Sequence, residues 1–300
     1  MNPPSESGSA GQRRFLSAGL VLLLCFGVPV YQLVRFALHS EMYSYVVLIP
    51  FISIYLVRLN HNRLAPAGAP LPRVLPATLL LAGLGFLTWY LLSVFSPEPP
   101  ARQNALTLAM LSLTLLLAGF ACLFLGRNVV RAHVFPLGFL AFMAPFPLFV
   151  EKSLQGFLQI WSAVIADGMF RIAGTPTFRD VTLFRLPGIS LEVAPECSGI
   201  HSTIALFITS LVAGQVLLRT TWKRVVLALI VVPIALLRNG FRVFTIGELC
   251  VHVSPDMIDS WIHRHGGPFF FVLSLIPFSV ILYFLQKFDR AVETRPKPLS

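Results

Sequence analysis

Apolar runs of roughly 20 residues, each long enough to cross ~30 Å of hydrocarbon as a helix, recur from one end of this chain to the other. Eight spans are predicted, at 15–38, 44–60, 74–95, 104–126, 129–150, 199–218, 225–247 and 267–286. Hydrophobic residues make up 56% of the 300 and charged residues only 12%. That charged share is about half the globular norm and leaves no material for a sizeable aqueous domain. The expected fold is an all-α polytopic membrane protein with about eight transmembrane helices. No repeat or low-complexity linker divides it. Residues 15–286 read as one integral membrane domain, flanked by an N-terminal tail, 1–14, and a basic C-terminal tail, 287–300.

A formal charge of +10 raises the question of nucleic acid. The placement of the charge answers it. Arg13, Arg14, Arg58, Arg63, Arg73, Arg127, Arg131, Arg219, Lys223, Arg224, Lys287, Arg290, Arg295 and Lys297 all fall on one side of the eight-span topology. The opposite short loops, 39–43 and 96–103, hold only Arg102. This asymmetry is the positive-inside pattern, so both termini are expected in the cytoplasm and the chain in the cytoplasmic (inner) membrane. The first apolar run follows Arg13-Arg14 without a small-residue cleavage site and reads as a start-transfer helix. No phosphate-cradling glycine loop and no basic stripe with interleaved aromatics is present, and no nucleic-acid partner is expected.

Residues 151–198 are then placed outside the cytoplasm. Leu154–Ile172 has apolar residues at helical spacing, interrupted by Gln155, Gln159, Asp167 and Arg171. It is either an interfacial amphipathic helix or a ninth span. From Thr177 the pattern changes to alternation. Val181 and Leu183, then Leu191 and Val193, flank Leu186-Pro187-Gly188, a short β-hairpin signal.

The chemistry-bearing residues gather just after that hairpin. Cys197 stands at the start of span 199–218, where free backbone N–H groups and nearby cations stabilise a thiolate. Cys25 and Cys122 lie inside apolar runs and read as packing residues. Cys197 and Cys250 fall near one face, so a disulfide is the alternative to a reactive thiol. No C-x-x-C spacing points to a metal site, and no cofactor is expected. Span 225–247 returns toward the same face and carries Arg238 and Arg242 at i,i+4, on one helix side. Arginine within hydrocarbon is costly, so such a pair faces a polar cavity or snorkels. The outer segment 248–266 carries His252, His263 and His265. His201, one turn after Cys197, is a candidate to support the thiol. A thiolate, an imidazole and a guanidinium suffice for acyl transfer. G-x-S-x-G, H-E-x-x-H and paired intramembrane aspartates are missing from the sequence, which removes the serine, zinc and aspartyl routes. Against this stands a transporter or lipid-carrier handling protein, with Arg238 and Arg242 binding an anionic group. A structural membrane subunit is a third reading.

At these residues the chain resembles the exosortase/archaeosortase family of membrane cysteine transpeptidases. Val193-Ala194-Pro195-Glu196-Cys197-Ser198-Gly199 is similar to the nucleophile block. Pro233-Ile234-Ala235 with Asn239-Gly240-Phe241-Arg242 is similar to the arginine block, and His263 with Gly267 and Phe271 to the histidine block. Tyr43-Ser44-Tyr45 leading to Leu48-Ile49-Pro50, and Phe135-Pro136 leading to Ala144-Pro145, also match family features. The resemblance implies that Cys197 forms an acyl-thioester, Arg242 serves the tetrahedral intermediate and His263 is the acid/base. Arg238 and His265 remain alternatives for the last two roles. It also implies partners: exported proteins with a C-terminal motif of Pro-Glu-Pro type, a transmembrane helix and a basic tail. These are linked to exopolysaccharide or surface-protein export. The acceptor nucleophile is left open.

Overall fold

A computed structural model of the chain describes residues 6–40, 42–61, 71–96, 101–259 and 266–293. Its contacts divide into two units, Met1–Val150 and Glu151–Ser300. Both are helical, and the strands form one small sheet in the second.

In the first unit, α1 (Glu6–Cys25) and α2 (Gly27–Leu38) meet at a 67° bend. Pro29 has no N–H to offer the carbonyl four residues back, and Gly27 beside it adds freedom, so the helix breaks there. A 3₁₀ turn, Ser44–Leu48, leads into α3 (Ile49–His61). Next come α4 (Val74–Val94) and α5 (Arg102–Phe124). α5 is the buried centre of this unit, whereas α4 turns nearly all of its apolar surface outward. That is the distribution expected where lipid replaces water. α6 (Arg127–Phe139) runs into a 3₁₀ turn, Leu140–Met143. Ala144-Pro145-Phe146-Pro147 then stops helix formation. Polar side chains of α5 satisfy the backbone groups this break exposes. Gln103 Nε2 donates to the Phe146 carbonyl (2.7 Å), and Thr107 Oγ1 to the Pro145 carbonyl (2.8 Å). Asn104 Oδ1 accepts from the Leu148 N–H (3.0 Å).

α7 (Leu148–Ala173) is one continuous helix of 26 residues. The predicted span 129–150 therefore stops at the proline break, and the segment left open between interface and membrane belongs to a single long helix. Among the described residues five helices are individually long and apolar enough to cross a membrane, and seven if each broken pair counts as one span. Ser44–Leu59 is a shorter apolar helix. The polytopic all-α class stands, with five to seven spans by this measure.

In the second unit, β1 (Phe178–Asp180), β2 (Leu183–Leu186) and β3 (Ile189–Glu192) form an antiparallel sheet in sequence order. The expected hairpin is β2–β3, with Leu186 opposite Ile189 across Pro187-Gly188. Proline followed by a glycine at φ 81° suits a type II turn. β1 extends the hairpin by a third strand. Phe184, Leu186 and Leu191 are buried while Arg185, Ser190 and Glu192 face outward, the period-two pattern of a half-buried sheet. The buried face packs on α7 and on α10 (Val231–His252) through Phe170, Val243, Ile246 and Cys250. Phe170 lies 5.5 Å from Phe184 and 5.2 Å from Phe244, ring centre to ring centre. A Cβ at Gly240 would sit 2.6 Å from Ile165 Cγ2, and one at Gly247 would collide with the Phe170 ring. The two helices approach closely because α10 carries glycine at these positions.

α8 (Ile200–Leu217) and α9 (Thr221–Leu229) precede α10, and α11 (Gly267–Glu293) follows it after a 3₁₀ turn at Pro255–Asp259. At the C-terminal end of α8, Arg224 donates to the Leu218 carbonyl from Nε (3.0 Å) and Nη2 (2.8 Å). Beside it Asp289 of α11 accepts from Lys223 Nζ (2.7 Å), Thr220 Oγ1 (2.7 Å) and the Arg219 N–H (3.0 Å). The Lys223 and Asp289 side chains are both almost fully buried, so each charge depends on the other.

Candidate active site

The site begins where β3 ends. Val193 still donates to the Thr182 carbonyl (3.0 Å), and Ala194 remains extended. Pro195 then opens a 3₁₀ turn, Pro195–Ser198, in which the Cys197 N–H donates to the Ala194 carbonyl (2.9 Å). Proline suits this first position, where its missing N–H costs nothing. Gly199 adopts φ 71° and turns the chain into α8. Two constraints require glycine here. The conformation is left-handed, and a Cβ would lie 2.9 Å from both Arg238 Nη2 and Asn239 Oδ1.

Four carbonyls of this short segment, each two residues apart, are held from outside. Gln159 Nε2 of α7 donates to the Val193 carbonyl, and Gln155 Nε2 donates to that of Pro195 (2.8 Å). Asn239 Nδ2 of α10 donates to the Cys197 carbonyl (2.9 Å), and Arg238 Nη2 to that of Gly199 (3.1 Å). Thr203 joins the last by donating from Oγ1 (2.8 Å). An irregular strand-to-helix connection inside a membrane protein must satisfy its backbone from side chains. The result is a turn with little freedom to move, with Cys197 at its centre.

Cys197 is half-buried and lines a narrow cleft with Leu191, Glu192, Val193, Arg242, Val243 and Ile246. All four cysteines are thiols, so Cys197 and Cys250 form no disulfide. The thiol stands just before the N-terminus of α8, whose first N–H groups have no carbonyl one turn back. A thiolate gains from that position.

The two arginines of α10 are put to different uses. Arg238 is 7% exposed, with Nη2 on the Gly199 carbonyl and 3.4 Å from Thr203 Oγ1. One turn later, half-buried Arg242 faces the cleft that holds the thiol. Arg238 thus reaches the cysteine turn at the Gly199 carbonyl, and Arg242 shares a cleft with the thiol. His201 lies exposed on the first turn of α8, apart from the residues lining the cleft. His252, placed in an outer loop from the sequence, instead closes the last turn of α10 and sits 3.0 Å from Glu248. His263 and His265 lie outside the described residues.

Gln155 and Gln159 were not singled out as site residues, and Asn239 entered only through its motif. The signal for the glutamines was their i,i+4 spacing within the apolar pattern of α7, which marks one polar stripe on a helix otherwise suited to lipid.

No curated protein and no solved structure matches the chain. A family model described as transmembrane exosortase matches residues 34–280, and so covers the proline break, the sheet, the cysteine turn, α10 and the first half of α11. The chain belongs to the transmembrane exosortase family, a membrane-embedded, sorting-related class of peptidase or transpeptidase.

Proposed function

We propose that this exosortase works through Cys197 as a cysteine transpeptidase or peptidase that removes C-terminal sorting signals from exported proteins. The observation that carries the reading is the cleft shared by Cys197 and Arg242. The Cys197 thiolate attacks the scissile carbonyl, and the new S–C bond places a negative charge on the carbonyl oxygen. Arg242 donates to that oxyanion, a contact worth most in a site that excludes water. His263 supplies the proton that lets the C–N bond break with departure of the amine, leaving an acyl-thioester on Cys197. His265 is the alternative donor. In the second half, water or an acceptor amine gives its proton to the imidazole and attacks the thioester carbon, and the thiolate leaves.

The clasp of Gln155, Gln159, Arg238 and Asn239 serves this chemistry by holding the turn, because a nucleophile gains most from a fixed near-attack geometry. The substrate is an exported protein ending in a short motif of Pro-Glu-Pro type, a transmembrane helix and a basic tail. Both termini are placed in the cytoplasm and the site on the outer side of the inner membrane, an orientation that the distribution of Lys and Arg supports. In this arrangement the substrate's basic tail stays inside and the cut falls near the outer interface.

Co-expression of the chain with such a substrate tests the proposal. With Cys197→Ala or Cys197→Ser, full-length substrate should accumulate in the membrane. Normal processing by both variants would remove the thiol from the mechanism and favour a transporter using the arginine pair.

A further inference from the structure

A second basic constellation lies in the first unit, unrelated to the thiol. Arg35 and His39 stand on successive turns at the C-terminal end of α2, and Arg102 is the first residue of α5. Together with Phe36 and Ser40 they line a cleft of about 310 Å³. His39 Nδ1 lies 2.7 Å from the Arg35 carbonyl, which orients the ring, and Arg102 Nη2 reaches the Gln32 carbonyl at 3.4 Å. Neither Arg35 nor Arg102 has an ion-pair partner among the described residues.

Three features of this cleft call for an anion. Two guanidiniums and an imidazole share it, and its lining among the described residues holds no carboxylate. The first N–H groups of α5 lie at the same end, where a helix favours negative charge. By the alternation of spans, this is the end of the unit at which Lys and Arg are scarce, so concentrated positive charge goes against the pattern of the chain. The neighbouring helix ends carry exposed apolar and aromatic groups. These are Tyr31 and Leu38 on α2 and Phe95, 83% exposed, at the end of α4. Tyrosine belongs at the headgroup level of a bilayer, and leucine and phenylalanine beside it suit the acyl chains.

We infer that this cleft binds a phosphate anion, and that its source is the headgroup of an acidic membrane lipid. Arg35 and Arg102 take the phosphodiester oxygens, with Ser40 and His39 as further polar contacts. The lipid chains lie along Tyr31, Leu38 and Phe95.

The test is native mass spectrometry of the purified full-length protein titrated with phosphatidylglycerol, with phosphatidylcholine and with inorganic phosphate. The wild-type protein should retain phosphatidylglycerol in preference to phosphatidylcholine. Arg35→Gln/Arg102→Gln should weaken that retention about 30-fold, from the usual contribution of two basic residues at an acidic surface. Arg35→Lys/Arg102→Lys keeps the charge and should retain most of it, which separates a lost site from a misfolded protein. Displacement of the lipid by millimolar inorganic phosphate would identify a phosphate site whose source is soluble and overturn the lipid assignment. Equal retention of both lipids, or equal retention by wild type and the glutamine variant, would overturn the site itself.

Discussion

The two ends of α8 use the same device for different ends. At its C-terminus Arg224 caps the Leu218 carbonyl, and next to it the buried charges of Lys223 and Asp289 neutralise each other. At its N-terminus Arg238 of α10 bonds the Gly199 carbonyl, yet one turn further along α10 Arg242 faces a cleft with a thiol in it. Arginine on backbone carbonyl is therefore not by itself a mark of catalysis. What distinguishes the N-terminal end is a turn gripped at four alternate carbonyls around a nucleophilic side chain. One end fastens helices, and the other fixes a reactive group.

Substitutions at the two ends should therefore separate stability from activity. The largest effect on activity is expected from Cys197→Ala, which should lower substrate cleavage by more than about 1000-fold, as for loss of a nucleophile elsewhere. Cleavage in isolated membranes, read by the shift in substrate size, measures it. Arg242→Lys comes next, at roughly 100- to 1000-fold, because an ammonium cannot reproduce the guanidinium fork toward an oxyanion. Arg238→Lys should cost less than Arg242→Lys in the same assay, and the reverse ranking would move the oxyanion role to Arg238. Gly199→Ala must leave φ 71° and crowd Arg238 and Asn239. It should lower cleavage by up to about 100-fold through displacement of the thiol, while the protein still accumulates in the membrane. Asp289→Asn should have the smallest effect on activity. It strips the buried Lys223 of its counter-charge and should lower the unfolding midpoint in detergent, with the cleavage rate per folded molecule unchanged. A loss of activity without a loss of stability at Asp289 would erase the distinction between the two ends.

Much of this architecture was legible in the residues. Helices along α4, α5, α8 and α11 follow from uninterrupted apolar runs, and the β2–β3 turn from Pro187-Gly188 between alternating strands. Counting membrane crossings places Cys197, Arg238 and Arg242 at one depth; the structure puts Arg238 on the Gly199 carbonyl of the cysteine turn and Arg242 in the cleft that Cys197 lines. What hydropathy could not show was where an apolar run bends. Pro29 and the Pro145-Phe146-Pro147 break interrupt hydrogen bonding without lowering hydrophobicity, so 15–38 read as one straight span and 129–150 ran past its stop. The clasp around Cys197 was also out of reach. A glutamine on an apolar helix signals a buried partner, but here the partner is a backbone carbonyl, which carries no residue signature.

The central claim, that Cys197 is a covalent nucleophile held by this turn, is tested most directly by trapping the intermediate. Full-length protein with its catalytic residues intact is incubated in membranes with a substrate bearing its C-terminal helix and basic tail, quenched in acid during turnover, then digested and mapped by mass spectrometry. An acyl adduct on the Cys197 peptide, removed by hydroxylamine as a thioester is, is the predicted result. Cleaved substrate with no adduct on Cys197, or with the adduct on another residue, would contradict it.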